Sequence, residues 1–143
     1  MGASLYSRML ALSGMPGWLG DTVLGACSGV NGVVIAMILI MVLLGTILDS
    51  ASIMLLVLPI AVPILTGLQV DLIWLGVIAI LAVEIGLLTP PFGLAVYVIK
   101  STLGPDTDIT LGQIFKGAAP FALMMALVLA LIFIFPALAT ALL

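Results

Sequence analysis

The chain has 143 residues, of which 65% are hydrophobic and only 6% are charged, and its net charge is −3. A soluble domain carries about 25% charged residues, so the mean hydropathy of +1.54 indicates an integral membrane protein. Three basic residues and no histidine argue against nucleic-acid binding and exclude histidine-based acid–base catalysis and most transition-metal sites. Cys27, the single cysteine, is most simply a small apolar side chain, and a reactive thiol is the alternative.

Residues 1–30 predict a connecting or interfacial segment. Trp18 lies in a run with one proline and two glycines, Met15–Asp21, and tryptophan favours the membrane–water interface. A short helix over Pro16–Ala26 along that interface and a plain loop both fit this pattern. The N-terminus does not have the pattern of a cleaved signal peptide, and we expect the chain to be a fragment of a larger protein.

Two apolar arms predict a helical hairpin. Val33–Leu44 and Ile53–Leu65 flank a polar run, Gly45–Ser52. At 1.5 Å per residue, arms of roughly 12–16 residues span about 18–24 Å, which is shorter than the hydrocarbon core of about 30 Å. The pattern therefore predicts a re-entrant hairpin over residues 31–66, which enters and leaves on the same side of the membrane.

The tip of this hairpin carries polar side chains. Asp49 or Ser50 is expected to cap the second arm by accepting backbone N–H bonds. In the alternative interpretation, Thr22–Leu48 is one ordinary span and Asp49 lies in the aqueous loop that follows. Pro59 and Pro63 lie four residues apart in the second arm, and each is expected to kink or end the helix.

The run Glu84–Gly93 contains a carboxylate, a hydroxyl, two prolines and two glycines within an otherwise apolar segment. A residue that precedes a proline is pushed out of the α region, so Thr89 and Pro90 both disfavour helix. The pattern predicts a discontinuous transmembrane helix over residues 72–103, broken at Thr89-Pro90-Pro91. Ionisable groups and unwound backbone at such a depth are functional candidates, although a passive kink is the alternative.

The remaining elements have recognisable boundaries. Asp71 is expected to cap the first half of the broken helix, and Thr110 to cap a short amphipathic helix that reaches Lys116. A plain terminal transmembrane helix is predicted over residues 117–139. Lys100 and Lys116 bracket the intervening loop, which the positive-inside rule places in the cytoplasm.

The two polar interruptions together predict an oxygen-rich site. Secondary transporters bind their substrate and coupling cation where discontinuous helices meet near the bilayer midplane. Oxygen ligands suit a hard cation such as Na⁺, for which Asp49, Ser50 and Thr89 are the candidate ligands. The candidate substrate- and sodium-binding residues are Gly45, Thr46, Asp49, Ser50, Thr89, Pro90 and Gly93. The residues expected to brace the break are Glu84, Gly86 and Pro91.

Glu84 needs a partner or a proton, because a charged glutamate at mid-membrane costs at least a few kcal/mol. Lys100 is too far along the same helix, at roughly 24 Å. The partner of Glu84 is therefore expected to be a backbone group, another helix or a segment outside the chain. A structural hydrogen bond that braces the break is the favoured role, and proton transfer stays open as the alternative.

The sequence does not support an enzyme. Without histidine there is neither a His–Glu metal motif nor a Ser–His dyad, and Asp49 and Glu84 are the only acids expected within the membrane. The alternative to a transporter is a non-transporting membrane assembly subunit. That alternative explains the apolar composition but not why two separate segments are interrupted at one depth.

Three motifs resemble the C-terminal part of the large permease subunit (DctM-like) of tripartite ATP-independent periplasmic (TRAP) transporters. They are Gly45-Thr-Ile-Leu-Asp-Ser50, Leu58-Pro-Ile-Ala-Val-Pro63 and Glu84-Ile-Gly-Leu-Leu-Thr-Pro-Pro-Phe-Gly93. The specific part is the Thr-Pro-Pro-x-Gly core that follows a Gly-x-x-x-Asp hairpin. The resemblance extends roughly from Leu10 onward and implies an all-α, sodium-coupled elevator transporter of two inverted repeats, of which this chain supplies part of the second.

The resemblance also implies partners and a location. It implies a multi-pass protein of the bacterial inner membrane, working in the lipid bilayer with a small TRAP membrane subunit and a periplasmic substrate-binding protein. The cargo would be small organic acids, such as C4-dicarboxylates. Gly45, Asp49 and Ser50 would match the tip of the second hairpin, and Thr89, Pro90 and Gly93 the second helix break. Because the family's large subunit is much longer, we expect its N-terminal part to be missing here and this chain to be inactive alone.

Overall fold

The computed structural model describes residues 29–104 and 107–140, together with residues 5, 6, 8, 9, 12–14, 17, 18, 22 and 25. These described residues form helices and no strands, which confirms the all-α prediction. The helices of the two continuous ranges are α1 Val30–Gly45, α2 Ser50–Gly67, α3 Leu72–Leu88, α4 Leu94–Leu103, α5 Leu111–Ile134 and α6 Ala137–Thr140. Cys27 and most of the interfacial segment predicted over Pro16–Ala26 lie outside the described residues.

Helices α1 and α2 are joined by a short turn, residues 46–49, as in an antiparallel pair. Gly29 precedes α1 with a φ of +84°, a conformation that L side chains rarely adopt. Helix α1 therefore begins at Val30, and the alternative of an ordinary span with Asp49 in the following loop stays open. Asp49 caps α2 by accepting a hydrogen bond from the Ser52 N–H at 3.0 Å, which confirms the predicted cap.

The arms are 16 and 18 residues long, so the second is longer than the expected 12–16. Helix α2 continues through Pro59 and Pro63, so neither proline ends it, and the predicted kink stays a prediction. Each proline removes one N–H donor, and the flanking turns keep their own hydrogen bonds. By length and composition alone, α2 and the 24-residue α5 are long and apolar enough to cross a membrane. The re-entrant path of the hairpin therefore stays a prediction.

The predicted helix break lies between α3 and α4. Asp71 caps α3 by accepting hydrogen bonds from the N–H groups of Ile73 and Trp74, as the sequence predicts. Helix α3 then ends at Leu88, and the segment Thr89–Gly93 separates it from α4. The Pro90–Pro91 peptide bond within this segment is cis.

Helix α5 is one continuous helix, which corrects the prediction of a short helix to Lys116 followed by a separate span over 117–139. Pro120 lies inside α5 and leaves one carbonyl without its usual N–H partner, which a long apolar helix tolerates. Thr110 and Gln113 form a capping box, which confirms Thr110 as the cap. The helix ends just before Pro136, where the preceding residue is biased away from the α region.

The core lies between α1, α2 and α3, and α1 packs mainly on α3 rather than on its own partner arm α2. Its fully buried large side chains are Val34, Met41, Ile53, Leu65, Leu75, Ile78 and Val83. Helix α5 packs along the outside of α3. The Trp74 Nε1–H donates to the Ile132 carbonyl oxygen at 2.8 Å, and its ring lies 5.9 Å from that of Phe133. The end of α5 is thereby fixed to the beginning of α3.

Candidate functional site

The hairpin tip and the helix break meet where α1 packs against α3 at Gly45 and Gly86. We call this contact the glycine crossing. Gly45 ends α1, Gly86 lies in the last turn of α3, and both are buried. A β-carbon added to Gly45 would lie 2.8 Å from the Val83 carbonyl oxygen and 3.0 Å from Gly86 Cα. Two backbones approach this closely only where neither residue has a side chain. The glycine crossing therefore holds the turn after α1 at the level of the break after α3.

A cleft of about 330 Å³ opens between the hairpin tip and the start of α4. We call it the tip–break cleft; its lining residues are Thr46, Ile47, Phe92, Leu94 and Tyr97. Thr46 is buried, and its hydroxyl donates to the Leu43 carbonyl oxygen at 2.8 Å. Phe92 and Tyr97 are exposed. The cleft thus has one buried hydroxyl and an aromatic rim, an arrangement suited to a small ligand.

The acid of the hairpin tip is engaged in capping. One Asp49 oxygen accepts the Ser52 N–H at 3.0 Å, and the other accepts the Ser52 hydroxyl at 2.6 Å. A carboxylate has about four acceptor positions, so this one can cap α2 and still bind a cation. Asp49 is exposed, and the neighbouring Ser50 is partly buried. These two tip residues therefore remain available as oxygen ligands.

The break supplies oxygen atoms from a side chain and from the backbone. The Thr89 hydroxyl donates to the Ile85 carbonyl oxygen at 2.5 Å, so its own lone pairs are free to accept or to coordinate. Pro90 and Pro91 are exposed and contribute no N–H donor. No cluster of three His, Cys, Asp or Glu side chains occurs among the described residues. A cation bound here would therefore depend largely on hydroxyl and carbonyl oxygens.

Gly93 is the last residue of the break and immediately precedes α4. It is buried, and its φ of +45° lies in the left-handed region. An added β-carbon would lie 2.8 Å from a ring carbon of Phe115 and 3.2 Å from the Thr89 carbonyl oxygen. A glycine is thus required both by the backbone conformation and by the packing of α5 against the break.

Glu84 lines a second cleft, also of about 330 Å³, which we call the Glu84 cleft. Its other lining residues are Ser50, Ala51, Met54, Ile80 and Val83, so it brings the predicted tip residue Ser50 close to Glu84. The Glu84 side chain is partly buried and makes no hydrogen bond or ion pair with any residue that the structure describes. Its role as a brace of the helix break therefore stays a prediction.

The structure links tip and break through backbone packing rather than through the predicted polar side chains. The hydrogen bonds of Asp49 and Thr89 stay within their own helical turns. Sequence reasoning missed Tyr97 and Phe115, although Tyr97 lies four residues after Gly93, on the same side of α4. It also missed Ser52, which the spacing three residues after an N-cap aspartate could have identified.

Comparison with known proteins adds independent information. Residues 1–138 match the family described as "Tripartite ATP-independent periplasmic transporter, DctM component". The sialic acid TRAP transporter large permease protein SiaM of Vibrio cholerae is 33% identical over 136 residues, which cover 95% of this chain and 31% of that protein. The C4-dicarboxylate TRAP transporter large permease protein DctM of Pseudomonas aeruginosa is 32% identical over 104 residues, 73% of this chain and 23% of that protein. The chain thus spans less than a third of these relatives.

Proposed function

Because this chain belongs to the DctM component family of tripartite ATP-independent periplasmic transporters, we propose that it forms part of the binding region of a sodium-coupled secondary transporter. The family is one of transporter permeases rather than enzymes, which supports a transport role in a bacterial membrane for the protein of which this chain would form part. We further propose that this chain lies in the bacterial inner membrane as part of a multi-pass, elevator-type permease, in which it forms part of the second inverted repeat.

The glycine crossing is the observation that carries the proposal. It holds two interrupted segments side by side, and secondary transporters bind substrate and coupling cation where such segments meet. The proposed substrate- and sodium-binding residues are Gly45, Thr46, Asp49, Ser50, Thr89, Pro90 and Gly93. For Na⁺ itself we propose Asp49, Ser50 and Thr89, whose oxygen atoms suit a hard cation.

The proposed cargo is a small organic acid in the tip–break cleft. Two relatives are named for sialic acid and for C4-dicarboxylates, both of which carry carboxylates. Leu94, the first residue of α4, lines this cleft, and the N–H groups of a first helical turn favour anions. A periplasmic substrate-binding protein would deliver the acid, and a small membrane subunit would complete the transporter.

We also propose that this chain does not transport alone. It spans 31% of SiaM, and the first hairpin and first broken helix of the proposed repeat pair would lie in the rest of the permease. The proteins it resembles are permeases, which favours transport over the assembly subunit considered from sequence. Uptake by this chain without any complementing polypeptide would contradict the proposal.

Sodium-dependent thermal stability of the complete permease tests the sodium site. A ligand that binds only the folded state stabilises it by about 2.7 kcal/mol at 100 times its Kd. We therefore expect the melting midpoint in detergent to rise in sodium chloride relative to choline chloride. Asp49→Ala and Thr89→Ala should each abolish this rise.

Two matched substitutions separate ion binding from local stability. Asp71 caps α3 as Asp49 caps α2, and the Thr66 hydroxyl donates to the Val62 carbonyl oxygen at 2.6 Å, as Thr89 does to Ile85. Asp71→Ala and Thr66→Ala should each lose about 1 kcal/mol but keep the sodium response. If the melting midpoint of the wild-type permease does not respond to sodium, the assembly subunit is favoured. If Asp71→Ala and Thr66→Ala also lose the sodium response, the effects of Asp49→Ala and Thr89→Ala reflect local stability rather than ion binding.

A further inference from the structure

One carboxylate in the helical core has no charged partner among the described residues. Glu84 is the only acidic or basic residue within α1, α2 and α3. No lysine or arginine among the described residues forms an ion pair with it. Lys100, in α4, donates instead to the carbonyl oxygens of Thr107 and Ile109, at 3.4 and 2.8 Å. Glu84 is therefore either protonated or paired with a group outside the described residues.

The Glu84 cleft is poorly suited to an isolated charge. Met54, Ile80 and Val83 make most of its lining apolar, and Ser50 contributes a hydroxyl. Helix α3 is held against α1 by the glycine crossing only two residues further on, about 3 Å along the helix axis. The backbone that carries the carboxylate is therefore closely packed against α1.

Electrostatics favours a cationic occupant. An unpaired charged carboxylate at the centre of a membrane helix is costly. A neutral hydrogen-bond donor would leave the negative charge uncompensated in apolar surroundings, whereas a basic side chain removes it. The cleft is open in this chain and large enough, at about 330 Å³, to admit the end of such a side chain.

We propose that the Glu84 cleft binds a lysine or arginine side chain from a transmembrane segment of the same permease that lies outside this chain. Relatives such as SiaM, of which this chain spans 31%, leave ample sequence to supply that segment. The inference rests on the proposed function only in treating the chain as part of a longer permease.

Charge reversal in the complete permease, produced with its partner subunits, tests the pair. Glu84→Lys should lower the folded yield several-fold, because it places a second positive charge in the cleft, and losses of stability of this kind change the cellular abundance of a protein by about that factor. Asp108→Lys, at an exposed loop position, should leave the yield unchanged. In the Glu84→Lys background, each lysine and arginine outside this chain is then replaced by glutamate in turn. One replacement should restore the yield, and cysteines at position 84 and at that site should cross-link.

Glu84→Gln provides the milder second test. Loss of the pair should lower the melting midpoint while the sodium response persists, so this result is independent of the sodium-site proposal. The docking proposal is overturned if no replacement restores Glu84→Lys, or if Glu84→Gln melts like the wild type. It is also overturned if Glu84→Gln abolishes the sodium response, because the carboxylate would then bind the coupling cation.

Discussion

Replacing Gly86 by alanine is the most direct perturbation of the glycine crossing. The added β-carbon would lie 2.7 Å from Gly45 Cα and 3.0 Å from the Gly45 carbonyl carbon, and would overlap the Val42 carbonyl oxygen. Carbon atoms in ordinary contact are about 3.5–4.0 Å apart, so α1 and α3 would have to separate by about 1 Å. Backbone atoms cannot rotate aside as a side chain can, so the overlap is relieved only by moving a whole helix.

The expected cost follows from two opposing effects. Overpacking a well-packed core costs about 1–3 kcal/mol, and alanine is better than glycine inside a helix by about 0.8–1.0 kcal/mol. Because the overlap at Gly86 involves only backbone atoms, we expect the overpacking cost to lie toward the upper part of its range. Gly86→Ala should therefore lose about 1–2 kcal/mol of the free energy of unfolding.

Gly76→Ala is the matched control, because Gly76 lies in the same helix and its added β-carbon would meet nothing within 4 Å. It should gain up to about 1 kcal/mol from helix propensity alone. Thermal denaturation of the complete permease in detergent measures both variants, and uptake into proteoliposomes should fall for Gly86→Ala only. If Gly86→Ala is as stable as Gly76→Ala, the close approach of α1 and α3 does not exist and the reasoning fails.

Two further substitutions test how α5 packs against the helix break and against α3. Gly93→Ala should cost about 1–2 kcal/mol for its left-handed backbone, plus the overlap with Phe115. A loss no larger than the backbone cost would contradict the packing of Phe115 against Gly93. Trp74→Phe should lose about 1 kcal/mol with its hydrogen bond to Ile132. Trp18→Phe is the control, because Trp18 is 67% exposed and its replacement should leave the unfolding free energy unchanged. If Trp74→Phe and Trp18→Phe are equally stable, the Trp74 hydrogen bond does not hold α5 against α3.

The sequence was sufficient wherever one side chain decides the local structure. The caps at Asp49, Asp71 and Thr110 were predicted because each side chain satisfies N–H groups within its own first turn. The break after Leu88 was predicted because two successive prolines disfavour helix at the residues before them. These outcomes need no knowledge of the tertiary structure.

The sequence was insufficient where packing between helices decides. Pro59, Pro63 and Pro120 all lie within continuous helices, because each removes a single N–H donor while the turns on either side remain helical. The contact between Gly45 and Gly86 depends on how α1 and α3 are rotated against each other, which no local pattern specifies. The partner of Glu84 was also unreadable, because the described part of this chain does not supply one.

The two arms of the hairpin are packed to different degrees, so they differ in how readily each can move away from the core. Helix α1 packs mainly against α3 and contacts it closely at the glycine crossing. Between α1 and α2, by contrast, lies an apolar groove of about 240 Å³. Segments with fewer packed contacts open at a lower free energy. Helix α2 should therefore open more readily than α1, moving about the turns at residues 46–49 and 68–71, while α1 stays packed against α3.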